Sequence, residues 1–123
     1  DSFFKSISNA KMGVNLSRGN PIKYYSSDRL TQLIGNGLLT FIHENTLYHN
    51  FFSNDEVIFY SNLSNLSEKI QKFARDDNSR KKIAKEGKKK YMKYFNSTVV
   101  AEYIIDNTFE KNYRKTKYMW ESK

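Results

Sequence analysis

The chain has 123 residues, of which 38% are hydrophobic and 28% charged, and its formal net charge is +8. This length suffices for one domain with its own core, while the absence of cysteine excludes disulfide bonds, thiolate nucleophiles and cysteine-based metal sites. No apolar run reaches the length that a membrane-spanning helix needs. Because the first residue is Asp1 rather than Met, we expect a piece of a longer polypeptide.

The first half of the chain alternates helical and strand patterns. The predicted elements are a helix over residues 1–8, a strand over 12–16, a helix over 28–36, a strand over 38–42 and a short helix over 46–52. Ser26 or Ser27 is expected to cap the second helix, and the glycines of Gly35-Asn36-Gly37 to end it. The 38–42 run is apolar at nearly every position, which is typical of a parallel strand buried on both faces.

The second half is mostly helical. The predicted elements are a strand over residues 56–60 and helices over residues 62–74 and 79–95. A last helix is predicted to run to about residue 109, with Ser97 or Thr98 as its N-terminal cap. The first of these helices has an apolar stripe formed by Leu63, Leu66, Ile70 and Phe73. Gly87 lies inside the next helix, where glycine costs about 1 kcal/mol relative to alanine, so we expect close packing there. The alternation predicts an α/β fold, a small parallel sheet flanked by helices.

The positive charge is confined to the second half of the chain. Residues 1–61 carry five Lys or Arg and five Asp or Glu, whereas residues 62–123 carry sixteen and eight. Such a distribution is typical of solvated lysine-rich helix faces, and it also fits an anionic partner such as nucleic acid or lipid headgroups.

Metal and nucleophile signatures are missing from the sequence. The two histidines, His43 and His49, are six residues apart, a spacing that matches neither helical metal pair, so no metal is expected. The nucleophile elbow, the phosphate-binding loop of nucleotide hydrolases and the glycine-rich dinucleotide motif are also absent.

The loop before the 28–36 helix has the residues of a phosphate site. Lys23, Ser26, Ser27 and Arg29 place a cation, two hydroxyls and a guanidinium around one helix N-terminus, where backbone N–H groups and the helix dipole favour anions. Serine at this position also serves as an ordinary cap. His43 ends a buried strand, and ligands of open parallel sheets bind at that end of the strands.

Residues 12–105 resemble the C-terminal, nucleotide-sugar-binding domain of GT-B glycosyltransferases, in particular the group 1, spore-maturation-type branch. The resemblance is carried by Arg29, Leu30, Gln32 and Gly37, which match an R-L-x-E-x-x-x-x-G helix except for glutamine in place of glutamate. It is also carried by the I-A-x-x-G pattern of Ile83, Ala84 and Gly87. The resemblance implies a three-layer, Rossmann-like half of the GT-B fold, with a donor-binding domain over residues 1–110 and a basic, aromatic tail over 111–123.

The resemblance also implies a donor site and its substrate. The diphosphate of a nucleotide sugar would lie at the helix start, with Gln32 at the donor ribose and Tyr24 at a position where relatives have a glutamate near the transferred sugar. The donor-binding candidates are therefore Lys23, Tyr24, Ser26, Ser27, Asp28, Arg29, Gln32 and His43. No catalytic residue is identified, and no cofactor or metal is expected.

Several partners follow from the same resemblance. The parent protein would be a glycosyltransferase, as in bacterial glycan synthesis, located in the cytoplasm, either free or peripheral to the inner face of the membrane. An acceptor-binding domain of the same parent chain would lie upstream, the acceptor would be a glycan, a lipid-linked group or a protein, and the fragment alone would be inactive. The alternative is a non-enzymatic module that binds nucleic acid or an anionic membrane through its basic C-terminal helices.

Overall fold

The computed structural model describes residues 2–25, 27–109 and 118–122. The helices are α1 (Ser2–Asn9), α2 (Asp28–Gly35), α3 (Leu63–Arg75), α4 (Asp77–Tyr94) and α5 (Ser97–Thr108), and the strands are β1 (Met12–Asn15), β2 (Leu39–His43) and β3 (Ile58–Tyr60). Short 3-10 helices occupy Glu44–Thr46, Tyr48–Asn50 and Met119–Ser122.

The three strands form one parallel sheet in the order β1-β2-β3, which confirms the predicted α/β class. Met12 pairs with Leu39 and Ile42 pairs with Phe59, so β2 is the central strand. We call the end where the strands begin the amino edge and the end where they finish the carboxyl edge. The first four residues of β2 are all buried, as expected of a parallel strand covered on both faces.

Helices cover both faces of the sheet. On one face, Leu30 and Ile34 of α2 pack with Ile42 and with aromatic residues that follow β2. On the other face, Leu66 and Phe73 of α3 and Ala84 of α4 pack against side chains of β2 and β3. The strand residues in this cluster are Leu39, Phe41, Ile58 and Tyr60. The result is the three-layer, Rossmann-like half-domain that was predicted.

Helix α4 lies along the amino edge of the sheet, and Gly87 explains how closely it packs. A Cβ atom at Gly87 would be 2.1 Å from the backbone oxygen of Glu56. The carboxylate of Glu56 is held in turn by the ammonium of Lys90 at 2.9 Å. The expected close approach at Gly87 is therefore confirmed.

Four local predictions were wrong. The predicted 46–52 helix is two 3-10 turns, because Leu47 between them has a left-handed backbone with φ of 59°. Leu63 is 77% exposed rather than part of the α3 core stripe, since it is the first residue of the helix. Helix α4 begins at Asp77 rather than Ser79, because the Asp76 side chain caps it.

The fourth wrong prediction concerns the start of α5. Asn96 caps this helix, since its side chain accepts a hydrogen bond from the backbone N–H of Val99 at 3.0 Å. Ser97 is instead the first helical residue. Within the part of the chain that the structure describes, no helix is both long and apolar enough to cross a membrane.

Candidate functional site

The carboxyl edge gathers the end of each strand and the start of α2. Asn15 ends β1, His43 ends β2 and Tyr60 ends β3. Ser27, which precedes α2, contacts Asn15, so the N-terminus of α2 lies at this edge. A cleft of about 220 Å³ opens beside it, between His43, Tyr60, the segment after β1 and the start of α3. The fold thus provides a concave site where parallel sheets bind their ligands.

Among the residues that the structure describes, no side chain caps the N-terminus of α2. Ser27 occupies the capping position in an extended conformation, yet its hydroxyl makes no capping hydrogen bond. The three helices α3, α4 and α5 differ, because Asn62, Asp76 and Asn96 each accept a hydrogen bond from a backbone N–H of the first turn. The first N–H groups of α2 therefore lack the described side-chain acceptor that the starts of α3, α4 and α5 have.

Asn15 supplies a buried polar group at the same place. Its side chain is 2% exposed, and its Oδ1 accepts a hydrogen bond from the Ser27 hydroxyl at 3.5 Å. Its Nδ2 has no hydrogen-bond partner among the described residues. A buried amide donor without a partner lowers the stability of the fold by about 1–3 kcal/mol. A ligand atom that accepts a hydrogen bond from Nδ2 would remove this cost. Asn15 was not among the site residues predicted from the sequence; the available signal was a polar residue at the end of a short strand pattern.

Two cationic residues belong to the loop that leads into α2 and to the first turn of that helix. Arg29 is exposed, and its Nη1 donates a hydrogen bond to the backbone oxygen of Leu16 at 3.2 Å, which holds the segment after β1 against the first turn of α2. The Lys23 ammonium lies 4.9 Å from the centre of the Tyr24 ring. Both residues belong to the predicted site, and Arg29 is the one in direct contact with the carboxyl edge.

Tyr24 is built into the core rather than pointing freely into the edge. Its backbone is left-handed with φ of 54°, a strained conformation for a residue that is not glycine. Its N–H donates to Thr46 O at 2.8 Å, its hydroxyl accepts from Asn50 Nδ2 at 2.7 Å, and its ring lies 5.1 Å from that of Phe51. These contacts fix the loop that leads into α2.

The remaining predicted residues lie on or near α2. Asp28 is exposed in the first turn, where its charge complements the helix dipole. Gln32 is half-buried one turn further along, and its backbone oxygen accepts a hydrogen bond from Asn36 Nδ2 at 2.8 Å. Ser26 lies outside the described residues.

His43 presents one ring nitrogen to the cleft edge. Its Nδ1 accepts a hydrogen bond from the backbone N–H of Asn45 at 3.2 Å, so the neutral ring carries its proton on Nε2. The ring packs edge-on against Tyr60, with 5.2 Å between centroids. Burial raises the pKa of the Tyr60 hydroxyl, so the phenol stays a neutral hydrogen-bonding group.

The chemistry available here is hydrogen-bond donation to an anion. The structure brings Ser27 to Asn15 and Arg29 to Leu16, places His43 on the same edge, and turns Tyr24 toward the aromatic core. Among residues 2–25, 27–109 and 118–122, no group of three His, Asp or Glu side chains is arranged to hold a metal ion.

Comparison with known proteins places the chain in a family. No curated protein matches it, and no solved structure does. One family model, described as glycosyl transferase-like, matches residues 1–106, which include every strand and all of α1 to α4. The chain therefore belongs to the glycosyl transferase-like family, and its role is in glycosyl transfer.

Proposed function

We propose that this chain is the donor-binding part of a GT-B glycosyltransferase and that it holds a nucleotide-diphosphate sugar at the carboxyl edge of its sheet. Membership of the glycosyl transferase-like family supports the reaction class. The parallel sheet with helices on both faces supports the binding mode, because nucleotides bind such sheets where the strands end.

The observation that carries the proposal is the unpartnered amide of Asn15. Its Nδ2 is a buried donor beside the one helix start, among α2 to α5, that has no side-chain cap. A phosphate oxygen placed there would accept from Asn15 Nδ2 and from the first N–H groups of α2, and it would remove the cost of the orphaned donor.

Each neighbouring side chain would contact a different part of the donor molecule. The Arg29 guanidinium and the Lys23 ammonium supply positive charge for the diphosphate. Asp28, as a carboxylate, can only accept hydrogen bonds and would accept one from a hydroxyl group of the donor, whereas Gln32 would hydrogen-bond a ribose hydroxyl without charge. The Nε2–H of His43 donates to the sugar or to the phosphate next to it. Tyr24 holds the loop in place through its strained backbone and its hydrogen bond with Asn50.

The same donors would act in the transfer step. When the bond between the sugar and the diphosphate breaks, negative charge accumulates on the leaving phosphate oxygen. Fixed N–H groups aimed at that oxygen stabilise the charge without reorganising, which is electrostatic catalysis of the oxyanion-hole type.

Titration followed by amide NMR shifts tests the proposal. UDP and GDP are added separately to the full 123-residue chain, and one of them is expected to shift the amides of Asn15, Ser27, Arg29 and His43. The matching monophosphate should bind at least about tenfold more weakly, because it lacks one charge-assisted phosphate contact. Equal affinity for the diphosphate and the monophosphate contradicts the role given to α2.

The variant Asn15→Ala removes the buried donor. It is expected to weaken diphosphate binding about tenfold while the chain stays folded, since Nδ2 has no partner to lose and Oδ1 loses only the long hydrogen bond of 3.5 Å from Ser27. Thr40→Ala is the matched control, because Thr40 is equally buried in the sheet and its hydroxyl donates to Leu38 O at 3.0 Å. That variant should lose stability and keep its nucleotide affinity.

A further inference from the structure

A second groove lies at the amino edge, at the opposite end of the strands from the donor site. Its volume is about 470 Å³, within the range of about 300–1,000 Å³ typical of ligand pockets. Its wall includes Asn36, Gly37 and Ala84. The ionisable residues that line it are five cations and one carboxylate: Lys11, Arg80, Lys81, Lys85, Lys88 and Asp77.

Helical spacing and a glycine turn bring these cations together. Arg80, Ala84 and Lys88 follow one another at intervals of four along α4, so they share one face of the helix. Gly37 has φ of +78°, and a Cβ there would be 3.4 Å from Lys88 Cδ, so the glycine leaves room for the lysine stem. Lys11 comes from the other wall, where its backbone oxygen accepts from Leu39 N at 3.2 Å.

The positive charge of the groove is only partly neutralised. Arg80 is buried and forms an ion pair with Asp77, and Lys81 lies 3.8 Å from the same carboxylate. The hydrogen bond from Arg80 and the nearby Lys11 and Lys81 charges lower the pKa of Asp77. Within the described ranges, no carboxylate lies within 4.0 Å of the ammonium groups of Lys11, Lys85 or Lys88.

We propose that this groove is a second binding site, which takes a polyanion bearing more than one phosphate group. Five cations against one carboxylate around a single concavity repel each other when the groove is empty, and a polyphosphate relieves that repulsion. Lysine ammonium groups on flexible stems suit phosphate as point charges. The two available sources are a soluble oligophosphate and the surface of an anionic membrane, where neighbouring lipid headgroups together present more than one phosphate group.

A pair of double variants with equal charge change tests the site. Lys85→Gln with Lys88→Gln removes two charges from the groove. Lys82→Gln with Lys89→Gln removes two charges from the same helix but outside the groove, where Lys89 faces Glu86 at 3.9 Å. All four lysines are exposed, so both variants should fold, which thermal unfolding checks.

Two probes distinguish the sources of the phosphate. The first is inorganic tripolyphosphate, followed through the amide shifts of Gly37 and Lys85. The second is vesicle sedimentation, which compares phosphatidylglycerol with phosphatidylcholine. The groove variant should weaken binding of the effective probe at least about tenfold, and the control variant less than about twofold.

Each result decides the matter. Saturable binding of tripolyphosphate that the groove variant loses supports a soluble ligand. Binding of phosphatidylglycerol vesicles alone, lost in the same way, supports a lipid headgroup. Equal loss in both variants, or binding of neither probe, overturns the proposal, because the positive charge would then act as a diffuse helix face. The donor site is judged separately, since its reporters Asn15 and Ser27 lie at the other edge.

Discussion

The two edges of the sheet differ in what they offer to an anion. At the carboxyl edge the donors are fixed: the backbone N–H groups of α2, the buried amide of Asn15 and a guanidinium, that of Arg29, already held by Leu16. At the amino edge, apart from the buried Arg80 that is paired with Asp77, the donors are lysine ammonium groups on exposed, flexible stems. The comparison teaches that fixed dipoles select a ligand by its geometry, whereas mobile charges select it by its charge.

The largest expected effect is on stability, and it comes from a substitution that disrupts the packing of α4 at the amino edge. Gly87→Ala places a Cβ where the backbone oxygen of Glu56 lies 2.1 Å away, so α4 must move off the sheet. We expect a loss of about 2–3 kcal/mol in the free energy of unfolding, measured by urea denaturation. Gly35→Ala is the control, because its Cβ would meet Tyr91 at an ordinary 3.8 Å. Equal stability of the two variants would show that α4 is not packed as described.

The next largest effect is a difference in the salt dependence of binding at the two edges. Raising sodium chloride from about 50 to about 200 mM is expected to weaken tripolyphosphate binding at the groove about tenfold, since exposed charges are screened. Diphosphate binding at the α2 start should fall less, because buried and backbone donors carry much of it. Isothermal titration calorimetry measures both, and the same slope for the two ligands would erase the proposed difference between the edges.

A smaller effect compares two helix starts at the carboxyl edge. Asn62→Ala should cost about 1 kcal/mol in the free energy of unfolding, because Asn62 accepts from the N–H of Asn65 at 2.9 Å and caps α3. Ser27→Ala should cost only a few tenths of that, since its hydroxyl makes no capping bond. If Ser27→Ala proves as costly as Asn62→Ala, the α2 start is capped in solution and the donor site loses its free N–H groups.

The smallest expected effect is an acid dependence at the start of α4. Hydrogen bonds from Ser79 lower the pKa of the Asp76 carboxyl, so the folded chain binds its proton more weakly than the unfolded chain. The stability from this cap is complete above the unfolded value of about 3.9 and is lost as pH falls through the lower, folded pKa. Thermal unfolding between pH 5 and pH 2 should show this loss in the native chain and less of it in Asp76→Asn. An unchanged pH profile in that variant contradicts the cap.

The sequence predicted what depends on local pattern. The continuous apolar run located β2 to within one residue, because a strand buried on both faces has no polar alternation. The glycine at 87 indicated close packing, since glycine inside a helix is costly without a reason. Each of these two predictions depends only on a residue and on the residues next to it in the sequence.

What the sequence did not reveal depends on residues far apart in the chain. Asn15 becomes part of the site only because the fold places Ser27, twelve positions later, against its Oδ1. The amino-edge groove has the same character: the lysines of α4 were visible, but Lys11 joins them only through the pairing of β1 with β2. The prediction of a helix over residues 46–52 was wrong because Leu47, which has a left-handed backbone, interrupts it.

The aromatic packing at the end of the described chain has a practical consequence. Trp120 is the single tryptophan of the sequence, and its ring lies 5.8 Å from Phe95 and 5.3 Å from Tyr103. Fluorescence excited selectively in the indole therefore reports from one spot, where the 118–122 segment meets α4 and α5. A red shift of its emission would signal release of that segment, independently of any ligand at either end of the strands.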